Sequence, residues 1–146
     1  MKQVLNNINS VQVIEADRLR HITVIPGKGV MLNFWRNFTM LPLVGLASME
    51  VVSKVENKSR LFTTSVKGLL SEHFEVANRR LAFLVTTVSD GRYLVGTNEA
   101  PFPIVNTSDV FPDRESEPSG CELTVEYTDS IGLLPVLDWL SVFLSE

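Results

Sequence analysis

Cysteine occurs once and histidine twice in these 146 residues, and that shortage removes much of the chemistry a small protein can carry. A single thiol, Cys121, excludes an intrachain disulfide and any thiolate metal cluster built within one chain. It falls on the apolar side of an alternating stretch, which marks it as a small buried hydrophobe rather than a reactive group. His21 and His73 belong to no ligand spacing of the H-E-x-x-H kind, so both are read as solvated or packed imidazoles. An excess of basic charge is also missing. The net charge of −4 gives no reason to expect nucleic acid, whose binders carry a positive face to displace counterions. Long apolar runs are absent too. The nearest, "MLPLVGLA", is broken by Pro42 and Gly45 and falls well short of the roughly 18 residues of a membrane helix. The opening "MKQVLNNINS" has no apolar core of the signal-peptide type, so the expected starting compartment is a cytoplasm. The Asn-X-Ser/Thr matches at Asn37, Asn57 and Asn106 are then coincidental.

Catalytic signatures are equally scarce. "IPGKGV" has a Gly-Lys pair but neither the earlier glycine nor the following Ser/Thr of a phosphate-binding loop, and no G-x-S-x-G elbow occurs. Glu122 and Glu126 are spaced for the wet face of a strand. Asp109 and Asp113, read as loop residues, make a poor glycosidase pair. The residues therefore support no enzyme, and they assign no catalytic, cofactor or metal site.

What the chain has in quantity is short β-type runs punctuated by Gly, Pro and Asn. With 45% hydrophobic content, a chain this long can bury roughly two-thirds of its unfolded surface in one domain. "SVQVIE", "RHITVIPG" and residues 30–34 read as strands, with β-branched and aromatic residues closing at turn formers. "MEVVSKVE" alternates and is followed, across Asn57-Lys58, by "SRLFTTSVK". A two-residue turn there sets Val51 against Thr64, Ser53 against Phe62 and Met49 against Val66. Lys58 is poorly suited to the positive φ of a type I′ turn. "LLSEHFEVAN" fits one or two helical turns through Leu70, Phe74 and Ala77, or an irregular loop. In "RRLAFLVTTVSDGRYLVGTNEAPFPIV", Asp90-Gly91 suggests a tight turn pairing Val88 with Tyr93, Thr86 with Val95 and Leu84 with Thr97. Both faces of that hairpin are apolar, so it must be covered on two sides, by a second sheet, a helix or another chain.

Pro101 and Pro103 hold "APFPIV" extended and remove two donors, which suits an edge or a rim. "PDRESEPSG" is an acidic loop, solvated or ordered by a basic partner. "CELTVEYT" alternates without a break. The tail, residues 135–145, is expected as a short helix opened by Pro135. Only Asp138, Ser141 and Ser145 would form its polar stripe, so it would pack on its own sheet or under a partner.

The run "RRLAFLVTTVSDGRYLVGTNEAPFPIVNTSD", with "CELTVEYTDSIGLLPVL" after it, resembles small structural proteins of phages and prophages of Bacteroidetes-type bacteria. The resemblance spans about residues 79–137. It implies a structural component of a tail, neck or connector and carries over no functional residue. The sequence is thus read as one mainly β domain over residues 1–146, an antiparallel sandwich or barrel-like fold with a short C-terminal helix. The expected role is assembly of a virion through contacts with other virion proteins or identical copies, without nucleic acid, membrane or cofactor. Pro101, Phe102, Pro103, Leu137, Trp139, Leu140 and Phe143 are the candidate partner-binding residues. The rival is a monomeric β-sandwich module for a small ligand or glycan, with Trp35, Tyr93 or Trp139 as a stacking platform. An inhibitor encoded by a mobile element is a third reading.

Overall fold

The computed structural model describes residues 2–19, 22–25, 29–31, 38–74, 80–89, 91–97, 101–110, 120–130 and 134–137. Eleven strands form within them: β1 (Lys2–Glu15), β2 (Thr23–Ile25), β3 (Gly29–Met31), β4 (Thr39–Met40), β5 (Leu43–Glu56), β6 (Ser59–Leu70), β7 (Leu81–Thr87), β8 (Arg92–Val95), β9 (Ile104–Val110), β10 (Gly120–Asp129) and β11 (Leu134–Leu137). They join one sheet in the order β2-β3-β11-β8-β7-β1-β5-β6-β10-β9, with β4 beside β1. The sheet curls into a half-barrel. Every pairing is antiparallel except that of β11 with β3, so the sheet is mixed. The mainly β class and the barrel-like curvature agree with the sequence; a second stacked sheet does not appear among the described residues.

The pleat explains how one sheet holds two cores. Alternate residues of a strand face opposite sides. On one side, Val11 and Val13 of β1, Phe83 and Val85 of β7, Val95, Met49, Val66, Leu123 and Val125 meet in the larger cluster. On the other, Ile14, Ala82, Leu94, Val30, Leu134 and Leu19 form a second cluster. Strands β1, β7 and β8 supply both. This is why residues 81–85 are buried at every position, and why the hairpin reads as apolar on both faces. The cover comes from the chain's own sheet.

The β5–β6 hairpin has the expected register, with Val51 opposite Thr64, Ser53 opposite Phe62 and Met49 opposite Val66. Asn57 and Lys58 have φ of 52° and 66°, the two positive values of a type I′ turn. The nine consecutive pairs from Glu56–Ser59 to Ser48–Lys67 hold Lys58 in a conformation that a residue with a Cβ seldom adopts by itself. Further along, a bulge interrupts the pairing between Val44 and Ser48. Gly45 lies there with φ +71°.

The β7–β8 hairpin forms, but three residues out of the expected register. Thr86 faces Arg92 rather than Val95, and Leu84 faces Leu94 rather than Thr97. The connection is wider than a two-residue turn. The Thr87 N–H donates to the Gly91 carbonyl at 2.8 Å, and the Gly91 N–H donates to Thr87 Oγ1 at 2.9 Å. Gly91 has no left-handed φ, and Asp90 lies outside the described residues. A threonine hydroxyl organises the loop here, in place of an Asp-Gly turn. The conformational demand falls on Gly96 instead, at φ +98°, where a Cβ would sit 2.8 Å from the Pro103 ring.

The C-terminal segment is not helical where the structure describes it. Leu134–Leu137 is a strand, with Leu134 opposite Leu94, Pro135 opposite Tyr93 and Val136 opposite Val30. "LPVL" fits period two as well as a helical turn, and the open flanks of β8 and β3 supply partners that a helix would forgo. Leu134 is buried in the second cluster with Val136 packed against it. Residues 138–145 of the expected helix lie outside the described residues. Residues 71–74 form a bend and extended chain rather than the start of a helix, because Leu70 completes β6; Ala77 lies outside the described residues. The strand expected over residues 30–34 is described only as Gly29–Met31.

Candidate functional site

Three polar side chains converge where β6, β9 and β10 end together. Cys121 opens the alternation of β10 and faces the larger cluster with Leu123, Val125 and Tyr127. Its neighbours across the ladders are Leu70 on β6 and Asp109 on β9. Directly opposed residues share a face of the sheet. Asp109 therefore stands on the core side of the edge strand, in line with Val105 and Thr107. His73 arrives from the segment leaving β6, and its Nδ1 lies 3.0 Å from Asp109 Oδ1. One donor atom each from His73, Asp109 and Cys121 lie within 4.8 Å of one another.

The surrounding chain fixes this convergence. The Ser71 N–H donates to the Pro42 carbonyl at 2.8 Å, pinning the exit of β6. Phe74 packs on the larger cluster. His73 is held between these two anchors. Gly120 contributes by what it lacks, since a Cβ there would run into the Leu70 carbonyl. A larger residue would push the end of β6, and His73 with it, away from β10. The imidazole and carboxylate remain about half exposed, at 55% and 45% of their side-chain surfaces. Cys121 has no exposed surface, so the thiol is closed to a substrate in solution. The group cannot serve as a cysteine nucleophile with its base in this conformation.

A second polar cluster lies toward the opposite end of β10. The Tyr127 hydroxyl donates to Asp129 Oδ2 at 2.6 Å, and the Ser130 N–H donates to Asp129 Oδ1 at 2.6 Å. Burial pushes the Tyr127 phenol well above its ordinary pKa. The hydrogen bond to Asp129 and that residue's charge push it the same way, and a hydrogen bond with Thr97 opposes them. A phenol held protonated is a structural donor, and this one ties the strand end to the turn after it.

The candidate partner-binding residues fall in different settings. Pro101 is exposed. Phe102 is half-buried under the Arg80 guanidinium, 5.0 Å from its ring centroid. Pro103 packs against Gly96. These contacts seat the proline segment on the protein's own surface and deliver the chain into β9. Leu137 lies in β11. Trp139, Leu140 and Phe143 lie outside the described residues, as do Trp35 and the acidic loop. Tyr93, a candidate for a ligand platform, is packed against the larger cluster. No helix among the described residues is long and apolar enough to cross a membrane. No family model, curated protein or solved structure matches the chain.

Sequence reasoning missed the His73–Asp109–Cys121 group because its members are 36 and 12 positions apart in order and share no motif. One signal was present. Val105, Thr107 and Asp109 alternate as one side of a strand, and pairing that strand with "CELTVEYT" would have put the acid beside the thiol.

Proposed function

We propose that the protein acts through contact with other protein chains, as a structural component of a phage or prophage virion of the tail, neck or connector type. Its site of action would be the virion, after a period in the bacterial cytoplasm. The observation that carries the contact reading is the free side of β9. This seven-residue strand closes the strand order and pairs with β10 on one side only. Among the described residues nothing pairs with its other side. Ile104, at its start, is 62% exposed.

An open edge of this kind is a template for a strand from another chain, with main-chain hydrogen bonds giving affinity and alternate side chains giving specificity. The proline segment and the Arg80–Phe102 contact hold the entry to β9 in place, so little order need be gained on docking. The resemblance over residues 79–137 supplies the kind of partner: identical copies or other virion proteins. The small-ligand module draws less support from Tyr93, which is half-buried against the larger cluster.

The test is association of the full chain, alone and with the products of neighbouring genes, followed by light scattering. The expected outcome is a defined oligomer or complex that Ile104→Lys with Asn106→Lys weakens while the melting temperature holds. Both positions face outward on the edge strand, so the folded core is spared. A wild-type chain that stays monomeric and binds none of those products would overturn the proposal.

A further inference from the structure

From the convergence at the end of β10 we infer that His73, Asp109 and Cys121 form a binding site for a borderline divalent transition metal of the zinc class. This inference does not rest on the assembly reading. The donor set is the first argument. A thiolate, an imidazole and a carboxylate together suit Zn²⁺, which takes sulfur, nitrogen and oxygen ligands in tetrahedral arrangement. A hard cation such as Mg²⁺ or Ca²⁺ would find one oxygen-bearing side chain and a thiol it does not favour.

Distance is the second. With metal–ligand bonds of about 2.0–2.3 Å, tetrahedral ligands stand roughly 3.3–3.6 Å apart. The three donors, with one pair at 3.0 Å and all within 4.8 Å, bracket that range. The two half-exposed side chains can close the difference, while Cys121 stays fixed in its strand.

Placement points the same way. Asp109 is a carboxylate on the core-facing side of β9, where its strand neighbours Val105 and Thr107 are half-buried. An inward charge on an edge strand is also a known guard against edge-to-edge pairing. A guard, however, needs neither an imidazole at 3.0 Å nor a thiol across the ladder. Binding would exchange the His73–Asp109 hydrogen bond for two metal–ligand bonds and form a metal–sulfur bond. The thiol proton would be released to solvent, and the fourth position would be left to water. The ion would then clip the exit of β6 to both strands beyond it.

The probe is Co²⁺, then Zn²⁺, added to the reduced full-length chain after dialysis against a chelator. The expected result is one Co²⁺ per chain with a sulfur-to-cobalt charge-transfer band, lost on adding Zn²⁺. Melting temperature should rise with metal concentration, and one proton per ion should be released near neutral pH. Cys121→Ser should abolish the band. His73→Ala and Asp109→Asn, at half-exposed positions that keep the core intact, should weaken binding at least as much as the roughly 10–100-fold that loss of an outer-shell partner costs. The inference is overturned if no charge-transfer band appears. It is equally overturned if the band is as strong in His73→Ala and Asp109→Asn as in the wild type, which would leave His73 and Asp109 as a hydrogen-bonded pair and Cys121 as core.

Discussion

Tyr127 shows how much a single side chain can be asked to do at the rim of a sheet. Its ring is part of the larger cluster, while its hydroxyl reaches Asp129 at 2.6 Å. Ionising it would place a second negative charge against that carboxylate in a setting that solvates charge poorly, which is why its pKa is raised. The consequence for stability follows from linkage. A group whose pKa is higher folded than unfolded contributes fully below the unfolded value, near pH 10, and loses that contribution as pH rises further. Alkaline unfolding should therefore begin above about pH 10 and be shallower in Tyr127→Phe. The phenolate absorbance that distinguishes the wild type from this variant should appear together with the loss of β circular dichroism. Phenolate appearing well before unfolding would show the hydroxyl to be freely ionisable.

At the scale of elements, the β7–β8 connection is governed by Thr87, a residue whose propensity points only to a strand. Its side chain is buried, accepts the Gly91 N–H at 2.9 Å and lies 3.1 Å from Ser89 Oγ. Thr87→Val keeps the shape and removes the acceptor, leaving a half-buried N–H without that partner. A net hydrogen bond is worth about 1 kcal/mol, so a loss of that size is expected in urea unfolding. Unchanged stability would mean that water or a rearranged loop replaces the hydroxyl.

The same hairpin marks what could be read from sequence. Alternation decided "CELTVEYT", whose burial runs inward and outward without a break. It also decided β5–β6, where both faces of the pattern agree in only one register. In β7 the run Leu81–Val85 is apolar at every position, so a slip of register there exposes nothing polar and the pattern has no power to choose. Asp-Gly then suggested the wrong loop. "LPVL" failed for a related reason, since four residues cannot separate two periods, and the decision lay with the open flanks of β8 and β3. The His73–Asp109–Cys121 group was illegible without the β9–β10 pairing.

For the whole molecule, the question is whether one sheet with two cores unfolds as one body. Adjacent residues of β7 face opposite clusters: Phe83 lies in the larger one and Ala82 in the smaller. Val13–Ile14 of β1, Ala82–Phe83 of β7 and Leu94–Val95 of β8 cannot leave one core without disturbing the other, because a strand moves with both of its faces. Leu134, on β11, contributes only to the second cluster, whereas β10 contributes only to the first. Phe83→Ala should cost about 3–5 kcal/mol and Leu134→Ala about 2–5 kcal/mol. Sharing the middle strands predicts more than these losses. Leu134→Ala should lower amide protection in β10, at the far end of the strand order, as well as in β3 and β11. The main transition should shift as a single step in both variants. Hydrogen exchange resolved by residue would decide it. If Leu134→Ala leaves β10 protected at the wild-type level and a separate early transition appears, then β2, β3 and β11 open as a unit of their own. The two-faced middle strands would in that case hold only the larger core. Coincident loss would instead show that burial on both sides of β1, β7 and β8 makes the sheet one cooperative body, a rigid frame from which the edge at β9 is presented.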